Sequence, residues 1–469
     1  MQQSTDSAAP RCAAFTVACA VALAPAFAQT TAPAGRTALV PPQQPAVAAA
    51  PSAPATLTLQ DALVRAQKYE PQFLAAAGAA RSAREDALQA RAALLPSVAA
   101  RSDYLNTQGN GRFPSGRFVT NDGVHVYREW GMLHQDLSPG TLTRSGYQRA
   151  QVAEAVAQAK TEIARRGLVV AVTRAYYALV IAQRKYATAQ LALTQAQQFL
   201  TVTQNLERGG EVPHSDVVKA QIQYNSQDQT LRDARLAMET ARLDLAVLIS
   251  ADFDENFQVV DDLHLASALP SFPDVQAMAR RENPDLRVAM ESVRGANLDI
   301  TIARQAFLPT LTVDVDYGLE ANQLGWNTVV AAAPQVGPVP SAGYFLTASL
   351  NLPLWDWGAR RSKVRQAEIR RDQASVELSA AQRQLVRNLT AFYQEAQTAR
   401  EQVDLLRQSA DLAAENLRLN TLRYQAGEAT ILELVDAQNT LTQARNAYDD
   451  GLARYRVALA NLQTLTGTF

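Results

Sequence analysis

The sequence predicts an α+β membrane protein built by internal duplication, in which short amphipathic strands alternate with helices of coiled-coil length. Three observations predict it. The phrase "ARAALLP" at residues 90–96 returns as "ARQAFLP" at 303–309, 213 residues further on. Long stretches place apolar residues three and four apart, the period of helices packed side by side. Between them lie runs that alternate apolar and polar residues one by one, the period of a strand with two unlike faces.

The elements follow in chain order. Residues 1–28 read as a secretory signal peptide: Arg11, then the apolar run "CAAFTVACAVALAPAFA", with small residues Ala26 and Ala28 at the cleavage position. Pro25 breaks the run, which argues against a membrane anchor. Lipid attachment at Cys19 is the lesser alternative, because "TVAC" lacks the usual leucine and the apolar run continues past it. Both cysteines, Cys12 and Cys19, fall in this segment, so an exported mature chain has no thiol chemistry and no disulfides. Residues 29–56 are rich in alanine and proline and almost uncharged, a leader that can neither bury a core nor run as helix. Order is expected near Thr58, where "TLQD" has the form of a helix N-cap with an acid three residues on.

Two units of one design follow, 57–263 and 264–469. Pro71 and Pro284 each open a helical run that ends at the repeated phrase. "GGEVPHSDVVKAQ" (209–221) matches "AGEATILELVDAQ" (426–438), and "QDLSPGTLTRSGYQRAQ" (135–151) matches "LPLWDWGARRSKVRQAE" (352–368), both at an offset of 217. Units of that length are a duplicated fold, since solenoid repeats run only about 20–50 residues. Each unit reads helix, two strands joined by a loop, a very long helix, a tight turn and a return helix. The first long helix carries Val172, Ala175, Leu179, Ala182, Tyr186, Ala189, Leu193, Ala196 and Leu200 at steps of three and four. Thr143 to Leu206 as one helix would span roughly 95 Å. The return helix, Ser215 to Ile249, is shorter, so a helix opened by Pro71 is expected to stack end to end on it. The pieces near 57–70, 251–283 and the C-terminus would form a belt at the join.

The strands carry the membrane reading. In "TLTVDVDYGLE", Leu311, Val313, Val315, Tyr317 and Leu319 alternate with Thr312, Asp314, Asp316 and Gly318. Leu346, Ala348, Leu350 and Leu352 alternate with Thr347, Ser349 and Asn351, and Val98, Ala100 and Tyr104 with Arg101 and Asp103. The strand within "VHVYREWGMLHQDL" has both faces mixed. A wall between lipid and water needs this pattern, and Trp326, Tyr344, Trp355 and Trp357 near strand ends suit an interfacial belt. A half-buried sheet on a soluble core is the plainer alternative. Four strands cannot close a membrane barrel, and an open edge in lipid leaves backbone groups unpaired. Two copies of the chain would give an eight-stranded barrel filled by side chains; three would give twelve strands and room for a channel.

With "RYQAGEATILELVDAQ" (423–438) as its most specific part, and "GGEVPHSDVVKAQ" and "LPLWDWGARR" in support, the chain resembles the TolC family of outer-membrane efflux and secretion channels over about residues 57–467. The resemblance implies a trimer with a twelve-stranded β-barrel in the outer membrane, continuous with an α-helical tunnel across the periplasm. It implies a periplasmic adaptor protein and an inner-membrane transporter as partners at the tunnel tip, and no cofactor. The tip falls at Gly209–Pro213 and Ala426–Thr430, so Gly209, Gly210, Gly427 and Glu428 are the implied adaptor-docking positions. Glu433 and Asp436 match the family's two inward acids that constrict the closed tunnel, with glutamate in place of the usual aspartate at 433. Asp216 and Tyr424 match a pair that latches the shut state, while the arginine that assists this latch is replaced by Ala429. Carboxylates three residues apart share a helix face, and threefold symmetry would make each a cation-favouring ring.

Other function classes are poorly served. A net charge of −1 gives no basis for a nucleic-acid partner. The four histidines, His125, His134, His214 and His264, have no metal-ligand spacing. No phosphate loop or nucleophile elbow is present, so an enzyme is not expected. The rival reading is a secreted coiled-coil periplasmic adaptor or scaffold, which leaves the two-faced strands unexplained.

Overall fold

The computed structural model describes residues 55–106, 125–251, 257–263, 268–321, 329–330, 339–340, 342–426 and 428–467. The expected signal peptide, the leader as far as residue 54, Trp326 and Gly427 lie outside the described residues.

The first described element is β1 (Ala55–Leu57), three residues ahead of the "TLQD" cap. α1 (Leu59–Tyr69) then opens on a capping box: Thr58 Oγ1 accepts from the Asp61 amide at 3.2 Å, and the Asp61 carboxylate accepts from the Thr58 amide at 3.3 Å. α2 (Pro71–Ala92) has proline at its first position and the Glu70 side chain as cap. β2 (Ser97–Asn106) starts directly after Pro96, and β3 (His125–Asp136) returns beside it. A short helix, α3 (Pro139–Thr143), leads into α4 (Ser145–Gly209) of 65 residues, which reverses into α5 (His214–Ile249) of 36. β4 (Phe257–Val259) pairs in parallel with β1.

The second half runs the same course. α6 (Phe272–Glu282) has 11 residues like α1, and α7 (Pro284–Gln305) has 22 like α2. The Asn283 side chain caps α7 by accepting from the Leu286 amide at 2.9 Å, again with proline at the first position. β5 (Thr310–Ala321) starts directly after Pro309. A small ribbon of β6 (Val329–Val330) and β7 (Val339–Pro340) precedes β8 (Ala342–Asn351). α8 (Ala359–Gln425) has 67 residues and α9 (Ile431–Thr466) has 36. Thus the repeated "LP" phrase marks, in both halves, a helix handing over to a strand. The described non-glycine residues with positive φ, Arg144 at 58° and Trp357 at 56°, both stand just before a long helix. Arg144 turns the chain from α3 into α4, and Trp357 with Gly358 turns it into α8.

Each long helix is flanked by two shorter ones. α2 and α5 both pack on α4, α7 and α9 both pack on α8, and α7 and α9 also touch α4. Ala182, Ala189, Ala196 and Thr203 are buried at seven-residue intervals on α4, so the small positions of the predicted seam allow the closest helix approach. Where α5 ends and α2 begins, the main core forms. It joins Leu57, Ala62, Tyr176, Tyr177, Leu179, Leu245, Ile249, Phe257 and Leu452, with Phe73 packed against it. Tyr176 is fully buried, and its hydroxyl donates to the Val260 carbonyl at 2.7 Å, tying α4 to the belt segment. Fully burying a side chain of this size contributes roughly 1.5–3 kcal/mol. Arg184 holds the same level by charge, donating to Asp261 at 2.6 and 2.8 Å and to Asp449 at 2.6 Å.

The four larger strands form one antiparallel sheet in the order β2-β3-β5-β8. Its register sorts the side chains. One face aligns Val98, Leu133, Val315 and Leu346 across all four strands, with Ala100, Gly131, Tyr317 and Tyr344 in the next row. The opposite face carries His134–Asp314 at 2.6 Å, Arg128–Glu320 at 3.0 Å and Arg101–Asp103 at 2.8 Å. β3 is the exception expected from its sequence. It puts Glu129 and Gln135 on the apolar side and Met132 and Trp130 on the charged side. Among the described residues both outer strands, β2 and β8, keep an unpaired edge. Among the described residues no helix is long and apolar enough to cross a membrane.

Near the end of α9, Arg166 of α4 donates to the Thr464 carbonyl at 2.9 Å and to Glu162 at 2.7 Å, and Arg165 donates to Glu162 at 2.8 Å. The hydrogen bonds from Arg165 and then Arg166 hold the Glu162 carboxyl at about 2, against an ordinary 4.5. A depressed folded-state value means stability that is present above pH 4.5 and lost as pH falls through about 2. Glu162→Gln should therefore lower the denaturation midpoint at neutral pH and flatten its decline between pH 4.5 and 2, followed by circular dichroism. An unchanged acid slope would show the pairing to be inert.

Candidate functional site

Two helical turns, α4–α5 and α8–α9, stand at the far end of the long helices from the sheet. The first is a glycine-capped turn. Gly209 ends α4, and Gly210 follows with φ 75°, a backbone region open to glycine without strain. The Gly210 and Glu211 amides donate to the Glu207 and Leu206 carbonyls, each at 2.9 Å. His214, the first residue of α5, sits 2.7 Å from Glu207 across the turn.

The second turn is held by a side chain. Arg423 Nη2 donates to the Glu428 carbonyl at 3.3 Å and Nη1 to Glu433 Oε2 at 3.4 Å, while the Glu428 amide donates to the Arg423 carbonyl at 2.8 Å. α9 then starts on a capping box. Thr430 Oγ1 accepts from the Glu433 amide at 3.4 Å, and Glu433 Oε1 accepts from the Thr430 hydroxyl at 3.1 Å. Glu433 and Asp436 are both exposed, on one side of α9. They differ in their bonding. Glu433 closes the cap and pairs with Arg423, whereas Asp436 has no ion-pair or hydrogen-bond partner among the described residues.

Asp216 and Tyr424 line one cleft of about 990 Å³ between the two hairpins, with Phe199, Leu206, Ala429 and Ile431 around them. They share the cleft without a hydrogen bond to each other among the described residues. Asp216 accepts from Lys219, one turn along α5, at 3.3 Å. The Tyr424 hydroxyl lies beside Thr203, whose own hydroxyl donates to the Phe199 carbonyl at 3.0 Å, and the Tyr424 ring packs edge-on to Phe199 with centroids 5.5 Å apart. Burial first, and then the negative charge of Asp216, push the Tyr424 phenol above its ordinary value. The small residue at 429 leaves this side of the cleft without a cation, and Lys219 supplies one from α5.

Sequence reasoning singled out Asp216 and Tyr424 but missed Thr203, Phe199, Lys219 and Arg423. Thr203 had a signal, since it stands seven residues after Ala196 and continues the small-residue seam to the tip. Phe199 lies one turn before it on the same helix. Arg423 and Lys219 had none, because their partners depend on how the turns fold back. Of the implied docking positions, Gly209, Gly210 and Glu428 are exposed at the turns, and Gly427 lies outside the described residues.

Comparison with known proteins agrees with this architecture. The family described as "Outer membrane efflux protein" matches residues 62–251 and 275–468. A pyoverdine export outer membrane protein, OpmQ of Pseudomonas putida, is 26% identical over 412 residues, covering 82% of this chain and 81% of its own. The outer membrane protein TolC of Vibrio cholerae is 24% identical over 413 residues, covering 86% and 89%. The solved structure of the Vibrio cholerae outer membrane protein VceC superposes with a TM-score of 0.73 at 18% identity, covering 87% of this chain and 96% of that one. The chain belongs to the outer membrane efflux protein family: it is an exit duct seated in the outer membrane and extending into the periplasm.

Proposed function

We propose that three copies of the chain close a twelve-stranded barrel in the outer membrane and that their helices continue it as a tunnel. The tips of that tunnel dock a periplasmic adaptor, which joins the duct to an inner-membrane transporter in an efflux or type I secretion system. The observation that carries this reading is the four-stranded sheet with two open edges and two unlike faces. Hydrocarbon offers an unpaired strand edge no hydrogen-bonding partner, so β2 of one copy must pair with β8 of the next. OpmQ is named for pyoverdine export. For this chain, cargo is set by the inner-membrane partner, because the duct contributes a passage and a gate.

At the gate, Glu433 and Asp436 form two carboxylate rings around the axis. Asp436 is the freer of the two charges, and Glu433 is shared between the ring and the start of α9. The latch is half-buried Tyr424 packed beside buried Thr203, with Asp216 and Lys219 next to them, so that Lys219 takes the place of the cation absent at Ala429.

The purified protein should elute from detergent with the mass of three chains, and a water-soluble monomer would overturn the proposal. Val315→Arg and Leu346→Arg, in mid-strand on the apolar face, should each cost roughly 2–4 kcal/mol of barrel stability, and Leu350→Arg near the strand end only about 0–1. Equal effects at all three positions would remove the lipid-facing assignment. For the gate, Glu433→Gln with Asp436→Asn removes charge while leaving an acceptor to cap α9. This pair should weaken cation preference in planar-bilayer recordings. Tyr424→Phe and Thr203→Val should each raise conductance and leave selectivity alone. Wild-type selectivity in the first variant, or wild-type conductance in the other two, would dismiss the respective role.

A further inference from the structure

The charged face of the sheet contains a patch that the pairing of charges does not explain. Trp130 of β3 lies opposite Gly318 of β5, and Phe345 of β8 lies opposite Asp316 of β5, so both rings share the face of Asp314 and Asp316. The rings meet over Gly318 with centroids 4.7 Å apart. Glycine is required there, since a Cβ would overlap the Glu129 carbonyl and come within 2.8 Å of the Trp130 ring. Met132 faces Asp316 from the β3 side. Asp316 therefore sits in an apolar frame of Met132, Trp130 and Phe345.

Its neighbours on this face are all engaged. Asp103 holds Arg101, Glu320 holds Arg128, Asp314 holds His134, and Asp136 accepts from Ser138. Asp316 alone among these acids has no ion-pair or hydrogen-bond partner among the described residues, and its Oδ1 is shielded from solvent. A carboxylate screened by apolar side chains and left without a counter-charge favours an incoming cation. Aromatic faces beside it favour a cation that carries an apolar or aromatic body. Phe345 remains half exposed, so the frame is open to a ligand arriving from that side.

We propose that Trp130, Phe345 and Asp316 form a binding ledge for aromatic organic cations on the water-facing wall of the duct. The proposal rests on the reading that the charged face lines the passage. Each chain supplies one ledge, and three ledges at one level give a cargo molecule successive weak contacts on its way out. A site of this kind retards an aromatic cation relative to an aliphatic one of equal charge, without closing the duct.

The test uses the purified full chain in detergent, with benzyltrimethylammonium, tetramethylammonium and neutral benzyl alcohol as probes. The Trp130 signal is obtained as the difference in fluorescence between wild type and Trp130→Phe. Benzyltrimethylammonium should perturb it at about threefold lower concentration than tetramethylammonium. Asp316→Asn, which keeps size and shape, should weaken the two cations and leave benzyl alcohol unchanged. Phe345→Leu should remove the preference for the aromatic cation. Equal response to both cations in wild type, or unchanged cation binding in Asp316→Asn, would overturn the ledge. In planar bilayers the aromatic cation should reduce current more than the aliphatic one, and Asp316→Asn should abolish that difference. A protein that binds in detergent but carries no current would retain the ledge and discard the passage; one that conducts without discriminating would do the reverse.

Discussion

A helix of 65 residues cannot be covered by a return helix of 36, and most of this architecture follows from that mismatch. The uncovered part of α4 takes a second partner, α2, which comes from earlier in the chain and packs on the same helix. Two helix ends then meet midway along α4, where backbone groups need partners and apolar ends need cover. The belt supplies both. β1 pairs with β4, Tyr176 reaches the Val260 carbonyl, and Leu57, Phe257 and Ile249 close the core. α6 performs the corresponding service in the second half, where Val275 and Ala279 pack on Leu385, Leu389 and Leu462. The largest buried side chains therefore lie at the middle of the helical body, and the turns at its end are thinly packed.

The sheet depends on the same geometry from the other side. α2 and α7 end just before Pro96 and Pro309, so β2 and β5 leave the helical body at equivalent points. Ion pairs then lock the helices beneath the sheet, with Arg149–Asp299 at 2.7 Å joining α4 to α7 and Arg304–Glu368 at 3.0 Å joining α7 to α8. The return to the second long helix is tighter still. Asp356 accepts from the Gly358 and Arg360 amides at 3.1 and 2.8 Å, and Arg360 reaches the Pro353 carbonyl at 2.9 Å. Those bonds leave Leu354, Trp355 and Trp357 projecting outward, where an interfacial aromatic belt would sit.

At the tip, one residue serves two ends. Glu433 completes the capping box of α9 and balances Arg423, while the family resemblance gives it a place in the pore. The same carboxylate thus has a local duty, closing the start of α9 as Asp61 closes the start of α1, beside the ring role proposed for it. Removing it outright would disturb the turn together with the proposed ring, so an amide variant is the one that separates the two.

Periodicity determined much of this protein. The steps of three and four on α4, the alternation in β5 and β8, and the recurrence of Pro71 at Pro284 each specify a local shape that neighbouring residues impose on one another. Such patterns are legible because backbone geometry repeats at 3.6 or 2 residues wherever the partner lies. The spacing of Glu433 and Asp436 likewise placed both on one exposed side of α9. What tertiary structure alone decided are contacts between residues with no sequence relation. Thr203 meets Tyr424 more than two hundred residues away, and Lys219, not residue 429, brings a cation to Asp216. Trp130 and Phe345 meet over Gly318 because three strands share one register. A register is a property of paired strands, and a one-residue slip would send Trp130 to the opposite face, so no single strand's sequence could have placed it.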